Sequence, residues 1–205
     1  MGCVVDKAWW SRGDQRALEL AFGLAALVVG VFMLLVPVLG AVGVLDPFDG
    51  REVPLKFGTQ SPEGLGGDGI VVRGLERAEI VVVDPSFAQR VLLALPGVFG
   101  GVLLLMILLL LLKVIRTLRT GEVFATRNVT RLRIIAATVL AMGVLEPVVE
   151  TGTTALLLRG TAVSAAVPVT VTIQFGYLLG GLLVAAIAEV LRRGAILRAD
   201  ADGLV

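Results

Sequence analysis

Apolar and polar residues alternate along this chain in long blocks, not in the short periods of a water-soluble fold. From Val91 to Leu112 no residue carries a charge, and Leu103 to Leu112 is aliphatic or Met throughout, bracketed by Arg90 and Lys113. At roughly 1.5 Å per residue, a helix of that length spans the roughly 30 Å hydrocarbon core of a bilayer. A helix on a soluble core keeps a polar stripe for water, and this stretch has none. Leu20 to Leu45 is also uncharged. It is too long for the apolar region of a cleaved signal peptide, roughly 7–15 residues, so it reads as a retained first helix that Pro37 kinks or ends. A third apolar segment begins at Ile134 and meets Glu146, Pro147 and Glu150; a fourth runs from about Phe175 through Leu191 to a stop at Gly194.

The expected architecture is an all-α integral membrane protein, a single domain over 1–205. Its four transmembrane helices are expected at about 20–45, 91–119, 130–150 and 175–193. An extracytoplasmic loop would cover 46–90, a cytoplasmic loop 120–129 and a cytoplasmic tail 194–205. Period-two runs stand outside the helices. Ile70–Val72 and Glu79–Val83 flank a Gly-containing turn and predict a small β-hairpin-like extracytoplasmic element. Val167, Val169, Val171 and Ile173 alternate with Pro168, Thr170 and Thr172, again with strand period. Glycines 64, 66, 67 and 69 are followed by no Lys-Ser/Thr and open no helix, so they read as flexible loop, not as a phosphate cradle.

Composition supports the membrane reading. Hydrophobic residues are 57% and charged residues 17%, against roughly 45–50% and 25% in soluble domains. A net charge of +1 gives no global field for nucleic acid. Charge placement says more. Lys113, Arg116, Arg119, Arg127, Arg131 and Arg133 surround the second connection against one acid, Glu122, while acids gather in the long loop before it. The positive-inside rule then puts both termini in the cytoplasm. The same arginines would also attract anionic lipid, worth roughly 1 kcal/mol each near the surface.

With no histidine and one cysteine, Cys3, the chain lacks a disulfide framework, a Cys/His metal set and any Ser-His or Cys-His pair. It is expected to be non-enzymatic and to carry no cofactor. Glu146 and Glu150 lie at i and i+4 on one helix face, and two readings stand. Either they are intramembrane carboxylates handling protons or cations, with Arg159 as a partner, or the third helix is short and both sit among headgroups. Glu189 can pair with Arg192 or Arg193 at the helix base. Gly97/Gly101 and Gly176/Gly180 allow close helix approach, within the bundle or in an oligomer.

Two cytoplasmic helix ends echo one another: Leu118-Arg119-Thr120-Gly121-Glu122-Val123-Phe124 and Leu191-Arg192-Arg193-Gly194-Ala195-Ile196-Leu197. The echo fits a duplicated two-helix unit, or simply Gly-stopped, Arg-rich helix ends recurring on one membrane face. The stretch Gly121 to Asn128, followed by Leu132-Arg133, resembles the G-x-x-F-x-x-x-N … L-R signature of a bacterial membrane family, domain of unknown function 2975. The ending Glu189 to Leu197 and Asp200 to Val205 is similar to that family's terminal pattern. The resemblance implies a small four-helix inner-membrane protein, often encoded beside a small helix-turn-helix regulator, and no assigned activity. Arg119, Gly121, Phe124, Asn128, Arg133, Arg192, Gly194 and Leu197 are thus the candidate contacts for a cytoplasmic regulatory protein.

Overall fold

The computed structural model describes residues 12–45, 50–54, 77–82, 84–119, 126–161, 164 and 167–202. Among the described residues four helices are long and apolar enough to cross a membrane: Arg16–Val42, Phe87–Thr117, Thr126–Leu157 and Phe175–Leu197. The first is composite, with α1 over Arg12–Val29, a π-helical turn over Gly30–Leu35 and α2 over Val36–Val42. Pro37 explains the π turn, because its ring clashes with the carbonyl four residues back and the wider coil makes room. The helix ends at Gly43, whose φ of 86° is left-handed and whose N–H bonds the carbonyl of Gly40 at 3.1 Å. Gly43→Ala is expected to cost about 1–2 kcal/mol in thermal unfolding in detergent, since L-residues resist that φ. Its Cβ would also come within 2.7 Å of Arg90 Nη1, a side-chain end able to swing away.

Helix α3 spans Phe87–Arg119 and starts four residues before the expected Val91. A capping box sets that start: Ser86 N–H donates to Gln89 Oε1 at 2.9 Å, and Gln89 N–H donates to Ser86 Oγ at 3.4 Å. Helix α4 spans Thr126–Leu157, so it begins inside the expected 120–129 loop and continues seven residues past Glu150 with Pro147 in its interior. Helix α5 spans Phe175–Asp202. The expected stop at Gly194 and tail from 194 are therefore corrected: Gly194 is helix interior. A glycine there costs about 1 kcal/mol relative to Ala, too little to end a helix that continues through Ala195, Ile196, Leu197 and Arg198.

The expected hairpin is corrected as well. Strand β1, Gly50–Pro54, lies in the part read as loop and pairs antiparallel with β2, Arg77–Val81, with Glu52 opposite Glu79. Residues 70–72 lie outside the described residues, and the paired strands are separated by residues 55–76. The β-branched content of 70–72 is a local preference, and pairing is decided by which segments tertiary contacts bring alongside. The second period-two run, 168–174, is neither helix nor paired strand.

The chain divides into two compact units. One comprises residues 1–33, 100–143 and 174–205; the other comprises 34–99 and 144–173. The core of the first joins three helices: Ile107 of α3, Leu132, Ile135 and Met142 of α4, and Ala188 of α5. Val139, Tyr177, Val184 and Leu191 pack around them. Glycines set how closely α4 and α5 approach. A Cβ on Gly181 would meet Leu140 Cγ at 2.6 Å and the Ala136 carbonyl oxygen at 3.1 Å; one on Gly143 would meet Tyr177 Cβ at 3.0 Å. By contrast, Gly97 and Gly176, half of each expected G-x-x-x-G pair, have nothing within 4 Å, and Gly180 makes only an ordinary contact with Val139.

Candidate functional site

In the second unit, β1 delivers one side chain to a seat between α3 and α4. Arg51 Nη1 donates to Thr153 Oγ1 at 3.0 Å and to Thr154 Oγ1 at 2.9 Å. Its Nη2 donates to the carbonyls of Leu92 and Leu93, each at 3.0 Å. The sequence explains why those acceptors exist. Pro96 stands four residues after Leu92 in α3 and has no N–H to give it. In a membrane-spanning helix such an orphaned carbonyl needs a donor from elsewhere, and Arg51 supplies one. The two threonine hydroxyls donate to the Glu150 carbonyl, at 3.0 Å from Thr153 and 2.8 Å from Thr154, which leaves their lone pairs aimed at the guanidinium.

Burial holds the Arg51 guanidinium below its usual pKa, and the charge of Glu150 pulls it back up. An arginine so placed remains a cation at neutral pH. Of the two candidate carboxylates on α4, Glu146 is half-buried and Glu150 exposed. Glu150 is thus the counter-charge of an arginine absent from the sequence candidates. Arg159 is exposed just beyond the end of α4. Sequence reading passed over Arg51 because it lies among loop-forming residues, Asp49-Gly50 and Pro54. The usable signal was the helical Pro96 and the orphan carbonyl that it implies.

In the first unit, Glu189 is a hub for three arginines. Arg192 grips it with two bonds, Nε to Oε2 at 2.8 Å and Nη2 to Oε1 at 2.7 Å. Arg193 Nε donates at 3.1 Å, and Arg133 of α4 stands 3.7 Å away. All are solvent-facing, so the cluster contributes little to stability and mainly fixes side-chain direction. Nearby on α3, Arg116 Nε pairs with Glu19 Oε1 of α1 at 2.6 Å.

Asn128 is 1% exposed and lies in the first turn of α4. Its Oδ1 accepts from Arg131 Nη1 at 3.2 Å, and the same nitrogen bonds the Lys113 carbonyl and Thr117 Oγ1 of α3. This network joins the facing ends of α3 and α4. Asn128→Leu is expected to cost about 2 kcal/mol, the usual toll of breaking a buried polar network, read as a lower unfolding midpoint in detergent.

The remaining candidates are scattered. Leu197 is exposed on α5 and Gly194 lies within it; Arg119 closes α3; Gly121 and Phe124 lie outside the described residues. Arg133 and Arg192 meet at Glu189, and Asn128 belongs to the Arg131 network. Among the described residues no group of three or more His, Cys, Asp or Glu side chains is placed to hold a metal ion.

A family model described as a protein of unknown function, DUF2975, matches residues 78–205. The match takes in β2 from Ala78 onward and all of α3, α4 and α5; α1, α2 and the Arg51-bearing β1 precede it. No curated protein and no solved structure matches the chain.

Proposed function

The chain belongs to the DUF2975 family of unknown function, and from that premise we propose a multi-pass component of the bacterial inner membrane that senses a condition and recruits a cytoplasmic partner. Both termini and the 120–129 connection, flanked on each side by basic residues, face the cytoplasm in this reading, as the positive-inside rule requires. It works without catalysis and without a cofactor. The observation that carries the reading is the seat of Arg51. A polar strand pair is tied by four hydrogen bonds to the backbone of α3 and the hydroxyls of α4. A change that pulls on the strands frees the Leu92 carbonyl beside Pro96 and alters α3, the helix whose basic end, Lys113, Arg116 and Arg119, leads into the 120–129 connection. The partner is a cytoplasmic regulatory protein, and anionic lipid headgroups neutralise the arginines around it.

The test is a pull-down from native membranes with residues 120–125 exchanged for a Gly-Ser linker of equal length, which leaves α4 and Asn128 in place. The partner recovered with the natural chain should be lost, and unchanged recovery would refute the reading. A thiol probe added outside the cell should leave Thr120→Cys unlabelled; labelling there overturns the orientation.

A second reading rests on Glu146, half-buried one turn from the exposed Glu150. In it the protein is a small proton- or ion-coupled transporter or channel-like protein that uses both carboxylates. Flux into proteoliposomes that disappears in Glu146→Gln would favour it over recruitment.

A further inference from the structure

Between α4 and α5 the chain leaves helical structure, and residues 168–174 run without a turn or a bend. Asp84 is the only non-glycine residue with positive φ among the described residues, so this run keeps to the negative-φ half of backbone space. One edge of it is engaged: Thr151 Oγ1 of α4 donates to the Thr170 carbonyl at 3.2 Å. In an extended chain the N–H and C=O of successive residues point to opposite edges. Val169, Val171 and Ile173 therefore present their backbone groups on the edge away from α4. No backbone hydrogen bond joins these three to any described residue, and the residues are 73%, 47% and 45% exposed. Unpaired, β-branched strand edges are templates for another strand.

We propose that residues 169–173 pair antiparallel with the same residues of a second copy, forming a two-fold dimer centred on Val171. The sequence of the edge selects the partner. Val169-Thr170-Val171-Thr172-Ile173 reads nearly alike in both directions. Antiparallel pairing about its middle sets Val169 against Ile173, Thr170 against Thr172 and Val171 against Val171. Aliphatic side chains then meet aliphatic ones on one face and hydroxyls meet hydroxyls on the other, the favoured cross-strand pairs. A slip of one residue would set Val against Thr along the whole ladder. No charge occurs from 160 to 188, so the axis brings no like charges together.

The hydrogen bonding agrees with this register. Pairs 169–173, 171–171 and 173–169 are of the bonded type and use the groups on the free edge. Two copies inserted in the same sense are related by an axis along the membrane normal, and strands lying along the surface are antiparallel under that axis. Growth stops at two. Pro168 has no N–H to extend the ladder, α5 begins at Phe175, and the other edge is held by Thr151.

Cysteine cross-linking of the full-length chain in native membranes tests the dimer, with Cys3→Ala removing the natural thiol. The Cα atoms of a bonded antiparallel pair are about 5.5 Å apart, within disulfide reach. Val171→Cys should therefore give a covalent homodimer on mild oxidation, severalfold more than Leu182→Cys on the exposed face of α5. Co-expressed Val169→Cys and Ile173→Cys chains should cross-link to each other, and adding Val171→Pro to both should abolish that product. Position 171 is exposed and outside the helices, so this proline leaves the fold intact, which monodispersity in detergent verifies. Equal yields at 171 and 182, or a 171 adduct with a different protein, overturns the proposal.

Discussion

Replacing Arg51 with alanine is expected to lower the unfolding free energy of the detergent-solubilised protein by about 3 kcal/mol, the largest effect of any single polar substitution. Charge-assisted hydrogen bonds contribute about 1.5–3 kcal/mol each where water is scarce, and Arg51 makes four, diminished by the cost of its own desolvation. The threonine hydroxyls keep their bonds to the Glu150 carbonyl when Arg51 is gone. The Leu92 carbonyl does not, because Pro96 offers it nothing. A double-mutant cycle isolates that contribution. In a Pro96→Ala background residue 96 regains an N–H, so Arg51→Ala should cost about 1 kcal/mol less than in the natural chain. Equal cost in both backgrounds would show that the carbonyl is not what the guanidinium serves. Arg51→Lys should recover only part of the loss, since one ammonium cannot span acceptors on two helices. Limited proteolysis gives a second readout, with cleavage within 46–90 accelerated once the strand pair is untethered.

The second large effect belongs to Gly181. Its missing Cβ leaves room for Leu140 and for the backbone of Ala136, and the Ala136 oxygen cannot swing aside as a side-chain end does. Gly181→Leu is expected to force α4 and α5 apart at the centre of the first unit's core, costing about 3 kcal/mol or more, and Gly181→Ala about 1–3 kcal/mol. Leu140→Ala should return part of the loss in the Gly181→Ala chain, because it removes the atoms that clash. Gly176→Ala and Gly97→Ala meet nothing within 4 Å, so they should be neutral or slightly stabilising through better helix propensity. Thermal unfolding of the set in one detergent checks the order. Gly176→Ala as damaging as Gly181→Ala would contradict the packing.

The four apolar helices were legible in the sequence because membrane insertion depends on length and mean apolarity, and both are properties of an uninterrupted stretch. Helix ends were less so. The Ser86–Gln89 capping box was a readable signal just before the Val91–Leu112 run, whereas Gly194 looked like a stop and lies within α5. Glycine only weakens a helix, and whether it ends one depends on what the following residues gain by continuing.

Which face of each helix turns inward was not legible. Leu103, Ile107, Leu110 and Leu111 face the core while Val102, Met106 and Leu109 are exposed, and nothing chemical separates the two sets. A lipid tail is as apolar as a leucine, so no polar stripe marks the outside. Likewise, two G-x-x-x-G patterns pointed to close approach, yet Gly97 and Gly176 meet nothing within 4 Å, while Gly143 and Gly181 make tight contacts. The apolar stretches alone decided that this chain reads as membrane-spanning, and the arginines suggest its orientation. Only the tertiary structure decided that Arg51, from a segment that looks like loop, serves the carbonyl that Pro96 leaves bare. A missing hydrogen bond is local, but the group that repairs it comes from wherever folding brings a donor.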